Sequence, residues 1–257
     1  MMNLHAGSDV RLCRAPVISL MAVLRDLRAE TCKIRDRRLL IKQIMRLLKN
    51  IVKQCRKPSG RLGRFFGKAM NSGHAKLRRW GLTSISINPD SCVLDIGCGG
   101  GKGVKEIASS VSKGKVYGID YSEDMVQLSK KVNDNLIKQG IVEIKYGSVS
   151  ALPFPNNMFD FVTAFESYYF WPDLVNDLIE IKRVLKPGAF LLLVHAAYKD
   201  DKFEKRNNKL VNLLDIKLHT PDEYKDFLSE AGYKIEKINS LPEKNWISIV
   251  AQKSEGN

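Results

Sequence analysis

The chain has 257 residues, of which 44% are hydrophobic and 27% are charged, and this composition is typical of one main globular domain with a full core. Its formal net charge is +14, but residues 1–79 hold 20 Lys and Arg against 4 acidic residues, whereas residues 80–257 hold 22 against 24. The excess positive charge therefore belongs to the N-terminal part. The remainder has no overall attraction for nucleic acid, and no segment has the run of about 20 apolar residues that spans a bilayer.

The N-terminal region divides into two parts. Residues 1–44 are rich in arginine, so we expect a basic and poorly ordered extension. Residues 45–90 are expected to form a helical cover. Between positions 37 and 55 apolar residues recur at helical spacing among Lys and Arg, which favours either a helix packed over the binding site or one lying on an anionic membrane surface. These apolar residues are Leu40, Ile44, Leu47, Leu48 and Ile51.

Residues 91–253 alternate short apolar runs with helical patterns, which predicts an α/β domain with a mostly parallel sheet. Strands are expected near 92–96, 115–119, 141–146, 159–165, 189–195, 233–239 and 245–251. Helices are expected near 101–112, 123–139, 172–185, 200–215 and 221–231. The last two strands flank a short turn and predict a hairpin.

A glycine-rich turn follows the first of these strands and is the most informative stretch of the sequence. The strand carries Asp95, and Gly97, Gly99 and Gly101 occupy alternate positions after it. Glycine permits sharp turning and close approach of a ligand to backbone N–H groups, and the following helix offers its positive end. The dinucleotide pattern Gly-x-Gly-x-x-Gly fails because Lys102 stands at its sixth position, whereas Asp-x-Gly-x-Gly-x-Gly is complete.

Further motifs follow in order. A second strand ends in Asp120, 21 positions after Gly99, near the spacing at which a carboxylate binds ribose hydroxyls. The other segments are Ser122–Met125, Leu152–Pro155, Phe159–Val162 and Val184–Gly188.

This ordered set resembles the class I S-adenosylmethionine-dependent methyltransferases, specifically the small-molecule type that includes the ubiquinone and menaquinone biosynthesis C-methyltransferases. The resemblance covers roughly residues 71 to 253. It implies a Rossmann-like, seven-stranded, mostly parallel sheet whose last strand is antiparallel, with S-adenosylmethionine (SAM) as cofactor.

The resemblance also implies roles for individual residues. Gly97, Gly99 and Gly101 would allow close backbone approach to the amino-acid end of SAM, and Asp95 would orient the turn and the SAM ammonium group. Asp120 would accept hydrogen bonds from both ribose hydroxyls.

Four further residues belong to the adenine side of the implied site. Tyr121 and Met125 would flank the adenine ring. Ser148, followed by Val149, stands where related proteins commonly place an acid that reads the adenine amino group. Serine can still accept that hydrogen bond, although without a charge.

The methyl acceptor would lie near the ends of the fourth and fifth strands, where Glu166 and His195 are the candidates to polarise or deprotonate it. For His195 a polar residue at a strand end is an equally good explanation. Tyr168, Tyr169, Phe170 and Trp171 form either a hydrophobic cap or an aromatic wall around the acceptor. Signatures of adenine or glutamine amino-group methylation and of C5-pyrimidine methylation are absent.

The five cysteines, Cys13, Cys32, Cys55, Cys92 and Cys98, form no C-x-x-C pair and are odd in number, so neither a metal site nor a disulfide framework is indicated. We therefore expect no metal and a cytoplasmic location.

The function expected from the sequence is methyl transfer from SAM to a small molecule, with nucleic acid not expected as a partner. Two alternatives remain open at this point. One is an RNA or protein methyltransferase that uses the basic N-terminal arm, and the other is a SAM-binding module without catalysis.

Overall fold

The computed structural model describes residues 54 and 56–254. The predicted extension over 1–44 and nearly all of the helix predicted over 37–55 lie outside the described residues. Two helices precede the sheet, α1 over Gly60–Gly73 and α2 over Ala75–Leu82. Within the described part of the chain, no helix has the length and apolar character needed to cross a membrane.

Seven strands form one sheet in the order β3-β2-β1-β4-β5-β7-β6. Neighbouring strands pair in parallel from β3 to β5, whereas β7 is antiparallel to both β5 and β6. The predicted fold class, a Rossmann-like sheet with an antiparallel last strand, is confirmed. The strands are β1 Cys92–Ile96, β2 Lys115–Asp120, β3 Val142–Tyr146, β4 Phe159–Phe165, β5 Leu185–His195, β6 Tyr233–Leu241 and β7 Trp246–Lys253.

Helices cover the sheet on both faces, and each face has its own hydrophobic core. The last helix begins at a capping box, in which Thr220 and Glu223 each bond the other's backbone N–H, as its sequence predicts. The helices after α2 are α3 Lys102–Ala108, α4 Glu123–Val132, α5 Asp134–Lys138, α6 Leu174–Val184, α7 Glu204–Leu214 and α8 Pro221–Glu230. Short 3-10 turns precede α6 and α7, at Tyr168–Phe170 and Asp201–Phe203.

Most predicted elements begin or end one to four residues away from their predicted bounds, and two of the differences have a cause in the structure. The helix predicted over 123–139 is broken at Asn133, whose backbone is not helical. The buried side-chain amide of Asn133 donates hydrogen bonds to the carbonyls of Gly101 and Ser129. The strand predicted over 189–195 begins at Leu185, immediately after α6, and its pairing with β4 is interrupted by a register shift.

The parallel register brings the carboxyl ends of β1, β2, β4 and β5 to one edge of the sheet. At this edge Asp95 of β1 is paired with Thr163 of β4 and with Gly118 of β2. Ligands of open α/β sheets bind in the crevice beyond such strand ends. The predicted cofactor and acceptor residues are therefore concentrated at one edge.

Candidate functional site

The glycine-rich turn is a tight backbone loop held against strand β2. The N–H groups of Gly97 and Cys98 both donate to the carbonyl of Ile119, at 2.9 and 3.0 Å. Gly97, Gly99 and Gly101 all have positive φ, which a residue with a side chain rarely adopts. A Cβ atom at Gly99 would meet no neighbouring atom closer than 4.0 Å, so the space beside this residue is open to a ligand.

The other two glycines of the alternate set are packed against neighbouring elements. A Cβ at Gly97 would lie 2.5 Å from the Cβ of Ser167, and one at Gly101 would overlap the Ser129 hydroxyl. Their lack of a side chain therefore serves close packing of the turn, whereas that of Gly99 leaves room for a ligand.

Asp120 connects the end of β2 to this turn. One of its carboxylate oxygens accepts from the N–H of Gly99 and the other from the N–H of Ser122, both at 2.9 Å. Burial raises the pKa of Asp120, whereas these two hydrogen bonds and the positive charge of Lys57 act in the opposite direction. Each oxygen retains a second lone pair, so the carboxylate can still accept from ribose hydroxyls.

Asp95 lies beneath the turn and is only 2% exposed. It accepts a hydrogen bond of 2.9 Å from the hydroxyl of Thr163. Burial raises its pKa to about 7, while the Thr163 hydrogen bond and the charge of Arg78 oppose that shift. A ligand ammonium group nearby would favour the ionised form, so the site is suited to a cationic ligand. The role of Asp95 in orienting that group remains a prediction.

Tyr121, Ser122 and Met125 follow the end of strand β2. The Tyr121 hydroxyl donates to the carbonyl of Arg56, and that of Ser122 donates to the carbonyl of Pro58, which fastens the segment before α1 to the end of β2. Met125 is 1% exposed, and its sulfur lies 2.6 Å from where a Cβ of Gly67 would stand, so it supports α1.

Ser148 and Val149 lie beyond the end of β3. Ser148 is exposed and its hydroxyl accepts from the N–H of Ser150 at 3.2 Å. Val149 is buried. The preceding residue, Gly147, donates its N–H to the carbonyl of Asp120, so this loop lies against the end of β2. Contacts of Tyr121, Met125, Ser148 and Val149 with adenine stay predictions.

A buried arginine, which belongs to no recognisable sequence motif, fixes the two N-terminal helices to the glycine-rich turn. Arg78 is 5% exposed, and its guanidinium binds both carboxylate oxygens of Glu106 on α3 and the carbonyl of Asn71. The Asn71 amide in turn donates to the carbonyl of Gly100 at 2.9 Å. A Cβ at Gly100 would overlap that amide, which explains the fourth glycine of the turn.

Glu166 follows β4 with a φ of 56°, a left-handed conformation that is strained for a residue with a side chain. Its carboxylate accepts from the N–H of Ala196 and from the hydroxyl of Tyr169. Burial raises the pKa of Glu166 to about 7. The next residue, Ser167, donates to the carbonyl of Ile96 at 3.0 Å, so the turn after β4 is joined to the glycine-rich turn.

His195 ends β5 but is completely buried. Its ring lies 3.9 Å from that of Tyr168, 5.4 Å from that of Tyr169 and 5.6 Å from that of Tyr224, measured between centroids. Neither ring nitrogen has a hydrogen-bond partner among the described residues. Burial holds the pKa of His195 well below its usual range, so the imidazole is neutral.

Glu166 follows the end of β4 and is partly exposed, whereas His195 at the end of β5 is buried among the rings of three tyrosines. The predicted roles of Glu166 and His195 toward an acceptor stay predictions. Of the aromatic residues at 168–171, Tyr168 is buried in a hydrophobic core and Tyr169 and Trp171 pack against it, an arrangement compatible with a hydrophobic cap. Their alternative role as the wall of an acceptor pocket stays a prediction.

A metal centre and a cysteine nucleophile are two other kinds of site to compare with the described side chains. No group of three or more His, Cys, Asp or Glu side chains among the described residues is arranged to hold a metal ion, and Cys92 and Cys98 are both free thiols. Burial raises the pKa of Cys98 well above its usual range, as do the charges of Asp120 and Asp95. An uncharged thiol is a poor nucleophile, so Cys98 serves as a small residue that fits the turn.

Comparison with known proteins agrees with this geometry. Residues 94–193 match the family model described as a methyltransferase domain. The chain is 34% identical over 126 residues to a demethylmenaquinone methyltransferase of Bacillus mycoides (strain KBAB4), and the match covers 48% of this chain and 52% of that protein. The chain thus spans about half the length of the curated relatives that it matches.

Solved structures share the fold at low sequence identity. A SAM-dependent methyltransferase from Aquifex aeolicus superposes with a TM-score of 0.57 and 22% identity, covering 79% of this chain and 97% of that one. Geranyl diphosphate C-methyltransferase from Streptomyces coelicolor A3(2) gives a TM-score of 0.60 and 15% identity, covering 70% and 76%. Residues 94–193 therefore resemble a methyltransferase domain, and the chain shares its fold with these solved structures.

Proposed function

We propose that the chain transfers a methyl group from SAM to a small-molecule acceptor. The observation that carries the proposal is the open space beside Gly99, bounded by the Asp120 carboxylate and the glycine-rich turn. A nucleoside with an amino-acid tail fits this arrangement, because backbone N–H groups and a ribose-binding acid lie within one turn of each other. Bound SAM supplies an electrophilic methyl group.

The domain contributes mainly alignment and exclusion of water, which are the principal requirements of an in-line displacement. Asp120 would hold the ribose, and Asp95 with the turn would hold the charged tail. Tyr121 and Ser122 fasten the segment before α1 at the ribose end of the crevice, and Arg78 fixes α2 to its other side. The site is thereby covered from the N-terminal side.

We propose an apolar and at least partly planar acceptor, whose rings pack beside the aromatic residues of the 168–171 segment. Relatives whose names state a substrate act on small molecules, demethylmenaquinone and geranyl diphosphate. This supports a small-molecule acceptor over RNA or protein. Within that class, the demethylmenaquinone relatives favour a quinol ring carbon as the atom methylated.

Glu166 is our candidate for the general base. A carboxyl group with a pKa of about 7 is partly ionised at neutral pH, which suits proton abstraction. It would accept the proton that the acceptor loses as the new bond to the methyl carbon forms and the sulfur–carbon bond breaks. His195 would polarise the acceptor only after the surrounding tyrosine rings move, so its proposed contribution is the smaller one.

Release of S-adenosylhomocysteine tests the proposal. The purified chain is incubated with SAM and a reduced, short-chain demethylmenaquinone, and in parallel with geranyl diphosphate and with a mixed RNA preparation. We expect release with the quinol, and mass spectrometry should find one added methyl group. SAM binding without turnover on any acceptor would instead identify a non-catalytic module, and turnover on RNA that declines steeply with salt would identify the RNA alternative.

Two further expectations remain proposals. The cytoplasmic location is supported by the cysteine pattern of the sequence. Membrane contact through the 37–55 helix is supported by its basic and apolar residues, which lie almost entirely outside the described part of the chain.

A further inference from the structure

The segment that leads into the sheet has an unusual charge distribution. Residues 56–82 contain eight Lys and Arg and no acidic residue. Two of these cations are paired with the domain: Arg64 with Asp124 at 2.6 Å, and Arg78 with Glu106 at 3.0 Å. No acidic side chain among the described residues forms an ion pair with Arg61 or Lys68, which are both exposed on α1.

Helix α1 presents large apolar side chains on that same surface. Its inner side is buried through Phe66 and Gly67, with Gly67 against Met125 of α4. On the outer side, Phe65 is 61% exposed and Leu62 is 46% exposed. Positions three and four residues apart are neighbours on a helix, so Phe65 lies between Arg61 and Lys68 and beside Leu62. We call these four residues the outer face of α1.

We propose that the outer face of α1 docks on an anionic lipid surface. Phe65 and Leu62 would enter the boundary between headgroups and acyl chains, while Arg61 and Lys68 would contact lipid phosphates. A helix lying in an interface combines large apolar and basic side chains in this way. The surface is distinct from the 37–55 helix and does not depend on methyl transfer.

Charge and shape favour lipid over two other occupants. A second copy of the chain bound face to face would oppose two surfaces that carry only positive charge, which is unfavourable. A nucleic acid would satisfy Arg61 and Lys68, but it would leave the aliphatic side chain of Leu62 without an apolar environment. A lipid surface satisfies both the charges and the apolar side chains.

Vesicle co-sedimentation of the full chain tests this surface. We expect binding to vesicles of equimolar phosphatidylglycerol and phosphatidylcholine, and much weaker binding to phosphatidylcholine alone. The double variant Leu62→Ser/Phe65→Ser should bind at least about tenfold more weakly, because two buried apolar side chains are lost. Arg61→Gln/Lys68→Gln should lose roughly fivefold per charge, and high salt should remove most of the remaining difference between lipid types.

Ile179→Ser is the matched control, because Ile179 is 45% exposed but lies on α6. This variant should bind vesicles as the unaltered chain does. The proposal is overturned if Leu62→Ser/Phe65→Ser leaves vesicle binding unchanged, which would assign lipid binding to another segment. It is equally overturned if the double variant converts a dimer to a monomer in light scattering, or loses RNA binding while vesicle binding persists.

Discussion

The cofactor side and the acceptor side of the sheet edge are built in different ways. At the ends of β1 and β2, backbone groups are paired: the turn donates to Ile119, and Asp120 accepts from Gly99 and Ser122. At the ends of β4 and β5, the important groups are side chains. Glu166 has a strained backbone conformation, and His195 is buried with no partner for its nitrogens in the part of the chain that the structure describes.

This contrast indicates that the cofactor side is held by backbone geometry, whereas the acceptor side depends on side chains that can be replaced. A ligand common to a whole family can be held by backbone geometry that glycine residues and one acid specify. An acceptor that differs between relatives requires side chains that can vary while the scaffold stays unchanged. On the acceptor side, Glu166 has a positive φ, and both His195 nitrogens and the Tyr168 hydroxyl are buried without a hydrogen-bond partner among the described residues.

The largest effect should come from Asp120→Ala on the cofactor side. Two charge-assisted hydrogen bonds to ribose would be lost, each worth about 1.5–3 kcal/mol, so SAM affinity should fall by about 100-fold or more. Isothermal titration calorimetry measures this directly. Asp134→Ala, at an exposed site on α5, is the control and should leave affinity unchanged. Normal SAM affinity in a folded Asp120→Ala variant would refute the ribose assignment.

The rigidity of the turn is tested by Gly97→Ala. The new Cβ would require a φ of 67° and would lie 2.5 Å from Ser167, so we expect about 3 kcal/mol of destabilisation in urea unfolding. Gly140→Ala has a similar φ of 76° but open space around it, so about 1 kcal/mol is expected there. Equal losses for the two variants would mean that the contact with Ser167 is not rigid.

The fold was largely predictable from sequence because its signals are local. Strands that are buried on both faces give short apolar runs, and glycine turns mark their ends, so all seven strands were located. The break at Asn133 was not predictable, because its cause is a hydrogen bond to Gly101, 32 positions away. The early start of β5 likewise depends on pairing between Leu185 and Phe159.

In the site, too, residues that belong to a local motif were predictable from the sequence, whereas residues that act through long-range contacts were not. Asp120 and the glycines were identifiable because their chemistry and spacing are encoded in one short stretch. Arg78 and Asn71 act through contacts with Glu106 and Gly100 that only the fold creates. Residues 37–89 contain no acid, so Arg78 has no acidic partner within its own segment of the sequence.

Glu166→Gln tests whether the acceptor side supplies a general base. If Glu166 is the base, turnover should fall by about 10- to 100-fold while SAM affinity is retained. In the unaltered chain turnover should rise as pH increases through about 7, because the base must be ionised, and this rise should vanish in the variant. Initial rates across a pH series provide both measurements.

The pH dependence of the stability of Glu166→Gln, compared with that of the unaltered chain, tests independently whether Glu166 ionises near pH 7. The pKa of Glu166 is raised in the folded state, so its contribution to stability is present below the usual pKa of 4.5 and is lost as pH rises through about 7. Glu166→Gln should therefore lose less stability than the unaltered chain between about pH 5 and pH 8. Asp95 titrates in both proteins and does not affect the difference. Identical pH profiles would show that Glu166 only positions Tyr169 and Ala196.

The smallest effect is expected for His195→Phe. This change keeps an aromatic ring among Tyr168, Tyr169 and Tyr224 and removes two buried nitrogens that lack partners, so the free energy of unfolding should rise by about 1 kcal/mol. Because burial depresses the pKa of His195, the unfolded chain takes up a proton below pH 6.5 and the folded chain does not. The gain should therefore grow as pH falls below that value. His219→Phe is the comparison variant and should bring a smaller gain, because burial also lowers the pKa of His219 but its Nδ1 lies 3.8 Å from the Glu223 carboxylate, which acts in the opposite direction. A loss of stability in His195→Phe would mean that the imidazole has a partner in solution, and a loss of turnover larger than that of Glu166→Gln would make His195 the principal acceptor-side group.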